Sequence, residues 1–377
     1  MTWSRPTARS LGCWPALLLA AASWGACGDD ESGPDPDPGA GGGTTMAPHG
    51  EGDTHGGGDP HGAGEQAPPE QLRGARLTRL SGRVQIGERT AAAGERLSPG
   101  EVITTGPGAT VVLDLPDRAR FELEGDSVAT LADEAPAQLV LGRGTARGML
   151  PPEGGSIRPP LRLAGPTVTA EIGGSGDAWL TVLPSGSGWV ASLGGRIGVR
   201  ASAVGEDRAL LETILGPGQG VAVSGAEAAG SGTAGSGTGA TGIAEPIQGP
   251  QNLAAAREAS RQLLAGAEAP VEGARAASLD AALRLLTESL GWLEEERRAG
   301  AALSDQHRAA VEGDPARARA LLVEIAAHSQ RRLRLQEVVL SRWERVLGWA
   351  LLGGSAGRDP DPVALHRPRV RALLGLD

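Results

Sequence analysis

Three histidines recur every six residues, His49, His55 and His61, in the run HGEGDTHGGGDPHG, with Asp53 and Asp59 two positions before the later pair. Neutral imidazoles beside carboxylates are the donor set of Zn, Ni or Cu sites. The run is Gly-rich, however, and offers no surrounding shell to orient ligands, so a drifting low-complexity repeat is the expectation and no metal is assigned. The chain has no Lys and no Tyr, and all 35 of its cations are Arg. That excludes Schiff-base and pyridoxal chemistry and the Gly-Lys-Ser/Thr phosphate loop. Between residues 76 and 223 there is also no His and no Cys, which removes His-based triads and thiol nucleophiles. Asp114, Asp117, Glu122 and Asp126 hold the carboxylates for a glycosidase pair, but their placing in and beside short strands reads as solvent-facing. Gly142-Arg143-Gly144 followed by Gly148 has the wrong spacing for a dinucleotide fingerprint. A net charge of −10 argues against nucleic acid as a partner. The expectation is a protein with no enzymatic activity and no cofactor.

The elements that carry these residues begin with a targeting segment. Arg5 and Arg9 precede an apolar stretch from Trp14 to Ser23, the length of a signal-peptide core and too short to span a bilayer as a helix. Trp24-Gly25-Ala26-Cys27-Gly28 follows, and small residues before a Cys with a polar tail behind it resemble a bacterial lipobox. The resemblance implies that residues 1–26 are a lipoprotein signal peptide and that Cys27 becomes the lipidated first residue. It departs from the usual pattern in having Trp24 three positions before the Cys. Cys13 precedes the apolar core, so processing would leave Cys27 alone, unable to form an intrachain disulfide. Gly28, not Asp, follows the Cys, which by the same resemblance points to the outer membrane. Residues 27–73 hold ten carboxylates and scarcely any large apolar side chain; such a composition cannot offset the entropy of ordering, and a disordered acidic tether is expected.

From 74 to 224 the texture changes. Val84-Gln85-Ile86, Val102-Ile103-Thr104, Thr110 to Leu115, Phe121-Glu122-Leu123, Gln138 to Leu141, Ala178 to Val182, Trp189 to Ser192 and Arg196 to Val199 are short apolar runs with Gly, Pro, Asp and Ser between them. Spacings near ten residues with turn signals predict an all-β sandwich or roll. The residues Leu80-Ser81-Gly82-Arg83-Val84, Gly94-Glu95-Arg96-Leu97-Ser98-Pro99-Gly100-Glu101-Val102-Ile103-Thr104-Thr105-Gly106-Pro107-Gly108-Ala109-Thr110 and Leu215-Gly216-Pro217-Gly218-Gln219 resemble a FecR domain. That resemblance implies the β fold and a tendency to bind other envelope proteins. Signalling members of the family carry a cytoplasmic sigma-factor-controlling segment and a transmembrane helix ahead of the β domain. Here the apolar segment reads as cleavable, so the sigma-factor role is not expected to carry over.

Residues 225–250 are Gly, Ser, Thr and Ala, a linker composition. From 251 to 353 the period becomes helical. Leu279, Leu283, Leu286, Leu290 and Leu293 form a 4-3-4-3 seam, and Asp314-Pro315 reads as an N-cap and first helical residue. An α-helical hairpin or small bundle follows, with Gln251 to Ala265 as a third helix, and 354–377 reads as a flexible end. Trp343 and Trp349 lie in an apolar stretch that is either bundle core or a partner-binding stripe; Trp179 and Trp189 are either core or a glycan platform. The stretch from Val338 to Leu352 contains Arg342, Glu344 and Arg345, which excludes a membrane span. Arg331, Arg332 and Arg334 read as a solvated face balanced by Glu294-Glu295-Glu296. The reading is therefore multidomain: an acidic tether, a β module and a helical module, anchored to a membrane by lipid on the periplasmic side. Such a protein acts as a protein-binding scaffold or sensor component; the alternative is a lipoprotein that binds peptidoglycan or polysaccharide.

Overall fold

The structure is a computed structural model and describes residues 74–115, 119–134, 138–152, 160–202, 210–224, 242–268, 270 and 273–376. All of them lie within one compact unit, Glu65–Asp377. Cys27 and the histidine repeat fall outside the described residues.

Eight short strands come first: β1 (Ala75–Ser81), β2 (Val84–Ile86), β3 (Arg89–Thr90), β4 (Arg96–Leu97), β5 (Val102–Thr105), β6 (Thr110–Asp114), β7 (Arg120–Leu123) and β8 (Val128–Leu131). Three long strands follow, β9 (Gln138–Leu150), β11 (Thr169–Val182) and β12 (Gly188–Ser202), with β10 (Leu161–Ala164) between the first two. The sheet ends with β13 (Leu210–Leu215), β14 (Gln219–Ser224), β15 (Gly242–Ile243) and β16 (Ile247–Gln248). Burial alternates along β2, β6 and β7, the period of two that a half-buried strand requires.

The strands form a mixed sheet joined in one hydrogen-bonded network, not two separate layers, because the long strands change partners along their length. Leu139–Leu141 of β9 pair antiparallel with β8, and Gln138–Val140 pair parallel with β10. Further along, Gly144–Leu150 pair with β11 and Ala146–Met149 with β7. β11 and β12 repeat the device: Gly188–Ala191 of β12 pair with β14 and Ile197–Ser202 with β13. The register of β11 against β12 slips between Ile172 and Gly176, where the chain reads Gly173-Gly174-Ser175-Gly176. Gly195 sits opposite this bend at φ +77, and a Cβ there would lie 2.5 Å from the Ser175 carbonyl oxygen. A glycine is required by both the dihedral and the space.

The bent sheet wraps one apolar core that includes Leu77, Ile103, Leu113, Phe121, Leu139, Leu180 and Ile197. Each such side chain contributes about 1.5–3 kcal/mol by burial. Helices follow: α1 (Leu253–Ala265), α2 (Ala274–Val311), α3 (Pro315–Trp349), a π-helical turn (Ala350–Gly354) and α4 (Pro362–Leu374). The Asp314 carboxylate caps α3 by accepting from the Arg317 N–H at 3.0 Å, with Pro315 at the first helical position. α2 and α3 form the hairpin, and the seam residues Leu279, Leu286, Leu290 and Leu293 are fully buried in it. That second core also includes Val140 and Ala164 from the sheet, so hairpin and sheet pack as one body.

Three segments depart from the sequence reading. The run expected to be a third bundle helix becomes α1, which lies on the sheet: Ala256 packs with Trp179 and Ala191. Within the expected linker, β15 and β16 pair with β14. The end expected to be loose folds into α4 because Asp361-Pro362 repeats the Asp-Pro cap of α3: Asp361 accepts from the Val363 N–H at 3.1 Å. Val370 and Leu373 then enter the second core.

Candidate interaction site

The hairpin is held at one end, and among the described residues its other end has no hydrogen bond or ion pair to the rest of the body. Its held end is the last third of α3, where Trp343, Val346, Leu347 and Trp349 are buried together with Arg342, Glu344 and Arg345. Three charges in an apolar run are costly unless each finds partners. Glu344, 1 % exposed, accepts from the Gln138 side-chain amide at 2.6 Å and from the Thr169 hydroxyl. Arg162 of β10 brings its guanidinium to 3.4 Å of the same carboxylate. Burial opposes the charge on Arg162, but Glu344, Glu337 and Glu171 outweigh it and hold the group above the ordinary arginine value. Arg342 donates to the Leu285 carbonyl at 2.6 Å and lies 5.0 Å from the Trp292 ring centre; burial pushes it below the ordinary value. The rim is charged as well, with Arg200 donating to Glu337 at 2.9 Å. α4 adds a clasp: Arg367 reaches the buried Glu134 at 3.0 Å, Arg371 pairs with Asp133, and Arg369 pairs with Glu294 at 2.9 Å.

Beyond this seat the hairpin continues outward. Among the described residues, every hydrogen bond and ion pair from it to the rest of the body involves α2 at or before Arg297, or α3 at or after Glu337. Residues 298–311 of α2 therefore extend about 21 Å further with residues 315–334 of α3 beside them. A thin core of Ala310, Ala318, Leu321 and Leu303 closes the far end. Val311, Leu322 and Leu333 are more than half exposed there. Leu322, Ala326, Ser329 and Leu333 follow the 4-3-4 spacing of one helix face and form an uncharged stripe. On the other flank Arg331 bonds Glu296 at 3.0 Å, and His328 pairs with the same carboxylate.

The tryptophans singled out in the sequence do not line this stripe. Trp343, Trp349 and Trp179 are buried, and Trp189 is partly buried against Trp179 under α1. Trp179 donates its indole N–H to the Ser260 hydroxyl at 2.7 Å, and Thr181 shares that hydroxyl at 2.7 Å. Trp343 and Trp349 pack in the second core. Sequence reasoning missed this set: it read Gln138 only as the start of a strand and did not single out Arg162 or Thr169; the three charges on α3 were the available signal that a buried counter-set existed. No group of three or more His, Cys, Asp or Glu among the described residues could hold a metal. No described helix is long and apolar enough to cross a membrane.

No protein-family model matches the chain, and no curated protein matches it. Two crystal structures of a candidate anti-sigma factor from Parabacteroides distasonis ATCC 8503, at 2.50 Å and 1.65 Å resolution, are similar to part of it. Identity is 16 % and 15 %, the TM-score is 0.26 in both cases, and the likeness spans 32 % of this chain. The chain spans little more than half the length of those structures, 54 % in each case.

Proposed function

We propose that the chain is a non-catalytic cell-envelope protein that binds protein partners through the outer part of the α2–α3 hairpin, as a scaffold or sensor component. In this reading residues 1–26 are removed, lipid on Cys27 anchors the chain on the periplasmic side of the outer membrane, and residues 27–73 are the tether. The β module is FecR-like and is the rigid base. The observation that carries the reading is the hairpin itself. A seat in which the buried Glu344 bonds Gln138 and Thr169 and pairs with Arg162 fixes its direction, and its far part exposes an uncharged stripe to solvent. A partner-binding protein needs such an arm held in a fixed direction.

Photo-crosslinking in living cells tests the proposal. A crosslinker at Ala326, in the stripe, is expected to yield a discrete protein adduct, and one at Arg284, on the exposed side of α2 near the seat, is not. Equal labelling at both positions, or none at Ala326, would overturn it. Mass spectrometry of the processed chain is expected to find Cys27 as an acylated N-terminus. Retention on purified sacculi by a chain that gives no protein adduct would favour the peptidoglycan reading instead.

A further inference from the structure

A cleft of about 540 Å³ lies under α1 and shares no lining residue with the hairpin stripe. That is the size class of small-ligand sites. α1 contributes Arg257, Ser260, Arg261 and Leu264, the spacing of one helix face. Two of these are already committed: Arg257 bonds Glu122 and Glu124, both at 2.8 Å, and the Ser260 hydroxyl serves Trp179 and Thr181. Three exposed charges also line the cleft. Arg143, on β9, is exposed and has no ion pair among the described residues. Arg261 pairs at 2.7 Å with Glu258 of its own helix, and its side chain stays 73 % exposed. Asp126 is exposed in the turn between β7 and β8 and adopts φ +59, a left-handed conformation that Gly, Asn and Asp accept.

The rest of the lining is mixed: Glu124, held by Arg257, and Thr145 are polar, while Ala109, Trp179, Val182, Pro184 and Leu264 make the apolar part. Gly108 also lines the cleft, and a Cβ there would meet nothing within 4 Å, so a ligand main chain can approach it closely. A ligand that fits must bring an anion for two guanidinium groups, an N–H donor for Asp126, and an apolar body. A peptide ending in a free carboxylate brings all three. A fatty acid has no N–H, and phosphate has no apolar body. We propose that this cleft binds the carboxyl-terminal end of an extended apolar peptide, with Arg143 and Arg261 receiving the carboxylate and Asp126 accepting a backbone N–H. The site shares no residue with the hairpin stripe, so either can fail without the other.

Isothermal titration of the full processed chain with N-acetyl-Ala-Leu-Val tests this, run beside its carboxamide, octanoate and inorganic phosphate. One acid peptide is expected per chain, with the carboxamide weaker by about tenfold or more, the value of one charge-assisted hydrogen bond. Arg143→Gln, at an exposed position, is expected to weaken the acid peptide by a similar factor. Asp126→Gly relaxes the backbone and removes only the carboxylate, and is expected to weaken the peptide while leaving octanoate unchanged. Leu264→Trp fills the cleft and is expected to abolish binding. Equal binding of acid and carboxamide, tighter binding of octanoate or phosphate than of the peptide, or no heat at millimolar peptide would each overturn the proposal. So would peptide binding that survives both Arg143→Gln and Leu264→Trp.

Discussion

Removing the Glu344 carboxylate is expected to loosen the hairpin from the sheet, and the size of the effect follows from its surroundings. Glu344→Ala takes away the acceptor for Gln138 at 2.6 Å, the acceptor for Thr169, and the counter-charge nearest Arg162, at 3.4 Å. Arg162 is 5 % exposed and cannot turn to water. Its remaining acids, Glu337 at 3.7 Å and Glu171 at 3.9 Å, soften the loss without replacing it. Breaking a buried pair from one side costs about 3–5 kcal/mol. Glu344→Gln keeps the shape and the bond accepted from Gln138, its amide N–H can only donate to the Thr169 hydroxyl in place of accepting from it, and the charge is lost, so about 1.5–3 kcal/mol is expected. Replacing both partners with apolar side chains, Arg162→Met with Glu344→Leu, is expected to recover most of the Ala loss, since no charge is then stranded. The assay is urea unfolding followed by tryptophan fluorescence, with Trp343 adjacent in sequence as an internal reporter. With a slope of about 3 kcal/mol per molar urea, Glu344→Ala lowers the midpoint by about 1–1.7 M. A loss below about 0.3 M, or equal losses for Ala and Gln, would refute the idea that a buried counter-charge seats the helix.

The other expectations are independent of that seat. Burial, with Arg369 nearby, lowers the His366 pKa below its ordinary 6.5. The folded state therefore favours the neutral ring, and this contribution is full above the unfolded value and lost as pH falls through the folded one. Hydrogen exchange of α4, corrected for intrinsic rates, is expected to quicken between pH 7.5 and 5.5, and His366→Asn to flatten the change. Gly195→Val forces a left-handed dihedral and a collision with Ser175; a loss of about 3 kcal/mol or more is expected, read as a fall in Tm or in soluble yield. Amides in 298–334 are expected to exchange through openings well below the global free energy, whereas 338–349 wait for unfolding. Leu321→Ala, at a site 5 % exposed, is expected to lower the free energy of those outer openings by about 2–3 kcal/mol and to leave 338–349 unchanged.

Local patterns were legible where the chain decides for itself. The Asp314-Pro315 cap, the leucine seam from Leu279 to Leu293 and the alternating strands all rest on neighbours a few residues away, and the structure has them. What could not be read depends on partners far along the chain. Nothing near Arg162 indicates that Glu344 will lie beside it. Nothing near Trp179 points to Ser260, so a core tryptophan and a glycan platform look alike in sequence. The partner changes of β9, β11 and β12 were hidden for the same reason: periodicity marks a strand without naming its neighbour. α4 was a different failure. Its Asp361-Pro362 signal matched that of α3, but the Arg-rich, Pro-containing sequence around it drew the reading toward a loose end.

The pocket for the Glu344 carboxylate has a consequence for how the molecule is built. Gln138, Arg162 and Thr169 come from three different strands, β9, β10 and β11, and they converge only when those strands are in register. α3 emerges from synthesis after all of them, so its docking inspects work already completed. A chain cut short before α3 would leave the apolar sheet residues Val140 and Ala164 uncovered, the kind of exposed surface that quality-control proteases find.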